Sequence, residues 1–375
     1  MDVTCSKHNH RGGMPCPWLN CSNGIEENEF IDSTFEKTDT PQHYIRKKWF
    51  YSDGSERYSW YDKNMPVIFT IYRILQEDSF NINSGSNTNI IYHYTNIQGL
   101  EGIIKSKSFW MTDFKYMNDY KEIIHGLELV DDIVRDLEKQ NKYEEKEEYF
   151  NIWKKFIKKG IKKRICISCF SADDGDSLSQ WRGYGNNGAG IAIGLKSNSS
   201  FWNYNPLALL KKVIYDSNEQ KKIIENIMHT YLIVSDWGDK NDKVFLNPKK
   251  MAKSCITSIY EHITYFKDNS FEDEKEVRWV YKSDNGYLKM AKLKKPEKEF
   301  RISENKIIPY LSSSNIPESK SKYLPTIKRD ILPIEDIVVG PQKDADLIVS
   351  GIKELLKANG YKNVKVRRST VPYRL

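Results

Sequence analysis

Four groups of side chains in this chain have the types and spacing that chemistry requires. The first is His93, within Ile90-Ile91-Tyr92-His93-Tyr94-Thr95, where an imidazole at a strand end beside a helix N-terminus can meet a polar ligand. The plainer alternative is a histidine bonded to a neighbouring backbone carbonyl. The second is Ser177-Leu178-Ser179-Gln180-Trp181-Arg182-Gly183-Tyr184-Gly185, whose arginine, amide and aromatic rings suit a planar or phosphorylated ligand. Its alternative is a packed loop with Trp181 in the core. The third is Glu274-Lys275-Glu276-Val277-Arg278; as a strand it sets both carboxylates and the arginine on one face, with Val277 and Trp279 on the other. Such charges are costly to bury unless paired, so the segment is either a functional site or a solvated strand. The fourth group is Cys5, His8, Cys16 and Cys21, which match the ligand count of a closed, structural zinc site, with His8 preferred over His10. A segment that short and polar needs a metal to hold it together; without one it is a flexible tail with reactive thiols.

These groups need elements to position them. Residues 1–25 form the expected zinc-binding segment, and 26–88 a linker followed by a hairpin and a helix. The hairpin rests on the Asp53-Gly54 turn between aromatic runs, and the helix is expected from about Pro66 to Leu75. The Asn-, Ser- and Gly-rich stretch 81–89 separates this from a main domain over 89–375. There the strand carrying His93 precedes an apolar pattern of helical spacing at Ile97, Leu100, Ile103 and Ile104, with Thr95 at the N-cap position. A long helix follows Asn118 or Asp119, with Ile123, Leu127, Val130, Ile133, Val134 and Leu137 at three-four spacing. Further strands are expected at 108–112, 164–171, 188–195, 276–281, 337–340 and 364–368, and further helices to about Lys162, at 218–235, at 248–266 and at 344–359. Mixed without strict alternation, these elements favour an α+β fold.

Composition narrows the classes. A hydrophobic fraction of 39% supports a core, and no run of about 18 apolar residues exists, so no membrane partner is expected. The N-terminus lacks a basic region followed by an apolar one, which makes the cytoplasm the expected compartment and the six cysteines reduced or metal-bound. A net charge of +7, with lysines gathered at 154–163 and 289–298, suits phosphate backbones or the solvated faces of helices.

Taken in order, several motifs resemble a bacterial family classed only as a domain of unknown function. They are Tyr92-His93-Tyr94-Thr95; Trp110 with Met117-Asn118-Asp119 and Glu122; Ser179-Gln180-Trp181-Arg182-x-Tyr184-Gly185; Glu274-x-Glu276-x-Arg278; Val339-Gly340-Pro341; and Val371-Pro372-Tyr373-Arg374. The resemblance covers roughly 90–375. That family is in turn distantly similar to the ADP-ribosyltransferase fold, which implies a mixed, split-sheet core with several helices and NAD as substrate. By this resemblance Glu276 stabilises an oxocarbenium-like transition state and Glu274 positions or activates the acceptor. His93 would hold the adenosine ribose with support from Thr95, and Tyr94 would line the same site. Tyr184 or Tyr116 would stack on nicotinamide, with Gln180 beside them and Arg182 on the pyrophosphate.

The expected function is therefore a mono-ADP-ribosyltransferase acting on a macromolecule, nucleic acid ahead of protein, as an intracellular toxin or phage-defence effector. An antitoxin or regulatory protein is its expected partner. Three rivals are an NAD glycohydrolase, a non-catalytic zinc-containing nucleic-acid-binding protein, and a partner-controlled scaffold whose site has degenerated.

Overall fold

The computed structural model describes residues 36–37, 44–50, 56–62 and 90–372, apart from 118–119, 141–145, 161–163, 204–206, 242–247, 284–287, 289–292, 304 and 318–330. The cysteine-rich segment with Cys5, His8, Cys16 and Cys21, the expected helix at 66–75 and the linker 81–89 lie outside the described residues. The chain forms two compact units, each assembled from separated stretches. One comprises Met1–Phe80, Leu129–Lys159 and Lys221–His262; the other comprises Asn81–Glu128, Gly160–Gln220 and Ile263–Leu375.

In the first unit, strands β1 (Glu36–Lys37), β2 (Tyr44–Phe50) and β3 (Glu56–Asp62) form an antiparallel sheet. The expected hairpin is therefore present, Phe50 opposite Glu56. Its helical part draws on α2 (Tyr120–Glu138), α3 (Glu147–Lys159), α5 (Ser217–Asn241) and α6 (Pro248–Ile263). The three-four stripe of α2 is buried at Val130, Ile133, Val134 and Leu137. Polar tips of buried aromatics find backbone or hydroxyl partners: Trp153 Nε1 donates to the Ala252 carbonyl, and Tyr231 bonds Ser258. On α3, Lys155, Lys158 and Lys159 are exposed and Lys154 pairs with Glu138, the arrangement of an ordinary solvated face.

The second unit is built on one mixed sheet of ten strands. They are β4 (Ile90–Thr95), β5 (Trp110–Asp113), β6 (Ile165–Ser171), β7 (Ile191–Lys196), β8 (Ala208–Lys212), β9 (Glu276–Lys282), β10 (Glu299–Ser303), β11 (Lys306–Ser312), β12 (Ile334–Val339) and β13 (Lys365–Arg368). The pair β12–β13 is parallel and the other described pairs are antiparallel, which with the flanking helices makes the unit α+β. Helices α1 (Ile97–Ser106) and α7 (Ala345–Ala358) bury Leu100, Ile103, Ile104, Ile352 and Leu356 against one face. On the opposite face a smaller cluster joins Tyr92, Tyr94, Trp181, Ala192 and Val338.

Four points differ from the expectations. Asn96, rather than Thr95, caps α1: its side chain accepts from the Gly99 N–H at 2.7 Å, while Thr95 still pairs with Ile191 in the ladder. The segment 177–185, whose alternative reading is a packed loop, contains a short helix, α4 (Leu178–Gly183). Glu274 is not in the strand with Glu276. Residues Asn269–Glu274 form a short 3-10 helix capped by Asp268, and Lys275 turns left-handed with φ of 46° before β9 begins. Finally, β8 and the hairpin β10–β11 have no counterpart in the sequence reading; β8 is short and lysine-ended, and β10 exposes apolar residues that blur its alternation.

Candidate functional site

Strand β6 organises the site because its two edges are treated differently. One edge pairs with β9 without interruption, from Ile165 opposite Lys282 to Ser171 opposite Glu276. The other edge is shared: β5 pairs at Cys166 and Ile167, and β4 pairs only at Ser171. Between them β4 and β5 part, and side chains replace the backbone ladder. Ser168 Oγ donates to the Trp110 carbonyl at 3.1 Å, and His93 Nδ1 lies 2.9 Å from the Cys169 carbonyl.

That contact fixes the state of His93. A carbonyl can only accept, so Nδ1 carries the proton. Burial lowers the His93 pKa; the Cys169 bond opposes this, and the Arg301 charge adds to the lowering. The imidazole is therefore neutral, with Nε2 as a lone-pair acceptor suited to a hydroxyl. Its ring packs edge-on to Phe109, with Phe170 tilted beside it.

Helix α4 is anchored from below. Trp181 is fully buried; its Nε1 donates to Asp176 at 2.9 Å and its ring meets Tyr94 edge-on. Tyr94 donates to Asp173 at 2.9 Å and accepts from the Ser177 N–H, so its hydroxyl is committed to holding this loop. Asp176 also accepts from Thr370 and Ser369, and Val371 packs on the same cluster, which brings the last motif to α4; Tyr373 and Arg374 lie outside the described residues. Gly340 completes the fit: a Cβ there would stand 2.2 Å from the Gly188 carbonyl oxygen.

Above this base, α4 meets the segment before β9. Gln180, buried, donates to the Glu274 carbonyl at 3.4 Å, and Ser171 Oγ donates to the same carbonyl at 2.7 Å. Tyr184, exposed, donates its hydroxyl to Glu274 Oε1 at 3.2 Å. Lys267 bridges the carboxylates: its Nζ lies 2.7 Å from Glu274 Oε2 and 3.1 Å from Glu276 Oε2. Arg278 then grips Glu276 with two donors, at 2.8 and 3.0 Å, and spends Nη1 on the Thr264 carbonyl. Burial opposes ionisation of Glu276, but the Arg278 charge and hydrogen bonds, with Lys267, outweigh it and hold its pKa down at about 2. Two anions and two cations thus neutralise one another.

The two carboxylates differ in access. Glu276 is only 5% exposed and its oxygens are held by Arg278 and Lys267. Glu274 is partly exposed and is the carboxylate a ligand can reach. His93, Gln180, Tyr184, Glu274 and Glu276 all converge on the Ser168–Ser171 end of β6. Thr95 is partly buried at the start of α1, Arg182 is exposed on α4, and Tyr116 stands exposed at the end of the single helical turn after β5. Register sets His93 on the face of Phe170 and Glu276 on the face of Ser171, with His93 standing where β4 and β5 part. Sequence reasoning missed Lys267, which lies in no motif, and Tyr215, whose hydroxyl accepts from the Glu276 N–H at 2.7 Å.

Among the described residues no group of three or more His, Cys, Asp or Glu side chains could hold a metal. Nor, among them, is any helix long and apolar enough to cross a membrane.

A model for a family described as a protein of unknown function (DUF2971) matches residues 180–279. The chain is similar to that family over this span. The span opens at Gln180 and closes at Trp279, so the Gln180–Gly183 part of α4 and the Glu274–Arg278 segment fall within it, while the strand bearing His93 falls outside. No curated protein and no solved structure matches the chain.

Proposed function

We propose that this chain is an NAD-dependent mono-ADP-ribosyltransferase acting on a macromolecule, with nucleic acid ahead of protein as acceptor. One observation carries the reading: α4 is seated on the carboxylate segment, so that Tyr184 and Lys267 both hold Glu274 beside the place where β4 and β5 part. The split edge itself agrees with an ADP-ribosyltransferase-like core.

In this reading the nicotinamide–ribose bond breaks with its electron pair leaving on neutral nicotinamide. The ribose carbon, carrying developing positive charge, forms a new bond to an acceptor oxygen or nitrogen, and the acceptor's proton passes to a carboxylate and then to water. Glu274 stabilises the charge and takes the proton, because it is the accessible carboxylate. Glu276 acts one step back, fixing Lys267 and Arg278. His93 accepts a ribose hydroxyl on Nε2, Tyr184 offers its ring to nicotinamide, and Arg182 meets the pyrophosphate. A zinc ion on Cys5, His8, Cys16 and Cys21, an intracellular toxin or phage-defence role and a controlling antitoxin remain part of the same proposal.

The test is incubation with NAD labelled in its adenylate moiety, together with cellular nucleic acid and protein. Transfer of label and release of nicotinamide are expected, and Glu274→Gln should lower both on the order of 100-fold. Absence of nicotinamide release from the native chain, or an unchanged rate in Glu274→Gln, overturns the reading. Free ADP-ribose without a labelled macromolecule would convert it to an NAD glycohydrolase.

A further inference from the structure

The face of the sheet that carries Glu276 also carries an aromatic platform with no part in the reaction just described. Trp110, at the start of β5, is 48% exposed, and its ring stacks on Tyr310 of β11 with centroids 4.6 Å apart and planes at 29°. Arg301 of β10 lies over the edge of the platform, its guanidinium carbon 5.9 Å from the Trp110 ring centroid. One donor, Nη2, reaches Thr112 Oγ1 at 3.2 Å, whereas Nε–H is buried without a hydrogen-bond partner. Glu299 is engaged by the Tyr310 hydroxyl at 2.8 Å and by Asn315 at 2.7 Å.

Strand register relates this platform to the carboxylates. Tyr310 stands opposite Thr112, Thr112 opposite Ile167, and Arg301 opposite Ile308, so these side chains share a face. Ile167, Cys169 and Ser171 alternate onto that same face, and Ser171 stands opposite Glu276. Extending the register sets Trp110 level with Cys169, whose neighbour on β9 is Arg278. Two strand spacings, about 10 Å, therefore separate the Trp110 and Arg278 backbones.

We propose that Trp110, backed by Tyr310 and flanked by Arg301, stacks an unpaired base of a single-stranded nucleic acid, the acceptor strand of the transfer reaction. A large exposed indole held rigid by a second ring offers a π-face that any base can use. The guanidinium supplies the positive charge that a phosphate beside the stacked base requires. Lys294 and Lys295, exposed on the approach to β10, add positive charge along the backbone's path, and the whole chain carries +7. A protein acceptor lacks a planar group with an adjoining anion at every residue, and fits less well. Transfer to the strand rests on the function proposed above; stacking of the base does not.

The experiment is fluorescence anisotropy of the full chain with a labelled oligothymidylate, alongside nicotinamide release measured without any oligonucleotide. The native chain should bind the strand, with affinity falling as salt rises. Trp110→Ala should weaken binding about 10-fold or more and Trp110→Phe much less, because a ring remains. Arg301→Gln should lower the salt dependence by about one counterion. Nicotinamide release should be unchanged in Trp110→Ala. A native chain that does not bind the strand, or a Trp110→Ala variant that binds it as well as the native chain, overturns the proposal. Lowered nicotinamide release with strand binding intact also overturns it, by assigning the platform to NAD. Strand binding that depends on Trp110 in a chain that never releases nicotinamide would uphold the platform and refute the transferase reading alone.

Discussion

The two edges of β6 put their polar groups to opposite uses. Along the β9 edge the ladder is unbroken, and the charges it brings inward are paired to completion: Arg278 and Lys267 consume the Glu276 carboxylate. Along the other edge the ladder is interrupted, and the groups there keep unused capacity, namely His93 Nε2, the Arg301 Nε–H and the face of Trp110. A closed network contributes rigidity and has little left to offer a ligand, whereas an interrupted edge has spare donors and acceptors without charge balance. Glu274 sits where the two meet, tied to the closed network by Lys267 and facing outward under Tyr184.

The comparison is broken most directly at Arg278. Truncation in Arg278→Ala removes the bidentate cation from the buried Glu276, which should cost about 3–5 kcal/mol in chemical denaturation. A loss under about 1 kcal/mol would mean that the network is not closed. A weaker perturbation of the same edge is acid. Glu276 ionises near 4.5 when unperturbed and near 2 in the folded chain. Its contribution, about 3 kcal/mol, is fully present above pH 4.5 and is lost as pH falls toward 2. Glu276→Gln should remove that acid-dependent segment from the stability profile; if the profile below pH 4.5 is unaltered, another carboxylate controls it.

How far the sequence exposes this division depends on the kind of signal. Periodicity exposes the strand bearing His93 and the α2 stripe, because burial repeats at the period of the element, while the Asp53-Gly54 turn signal exposes the β2–β3 hairpin. It also marks the charged triplet Glu274, Glu276 and Arg278, yet it misplaces Glu274, since a left-handed Lys275 is invisible to alternation. Trp181 reads equally well as a ligand or a core residue, and its burial and its bond to Asp176 place it in the core. Lys267 and Tyr215 carry no pattern at all. They reach Glu276 through tertiary folding, and nothing in their neighbours announces it.

On the open edge, His93→Ala separates closing the split from binding. Loss of the imidazole leaves the Cys169 carbonyl without its partner, at about 1–3 kcal/mol of stability. If Nε2 also accepts a ribose hydroxyl, NAD affinity measured by calorimetry should fall about 10-fold. Because burial and Arg301 lower the His93 pKa, affinity in the native chain should stay level as pH drops to about 6.5 and decline only below it. Reduced stability with unchanged NAD affinity would leave His93 a spacer between β4 and β5.

Tyr184→Phe should have the smallest effect, and it tests the boundary itself. The residue is 47% exposed, so removing its hydroxyl should change stability by less than about 1 kcal/mol. Its ring remains able to stack, while the 3.2 Å bond to Glu274 Oε1 is lost. Glu274 keeps Lys267, so the carboxylate stays placed but turns more freely about that single contact. If Glu274 is the reacting carboxylate, the turnover rate should fall several-fold, far less than in Glu274→Gln, with little change in NAD affinity. A fall in affinity without a fall in turnover would mean that the hydroxyl meets the ligand directly and that Glu274 belongs to the closed edge with Glu276.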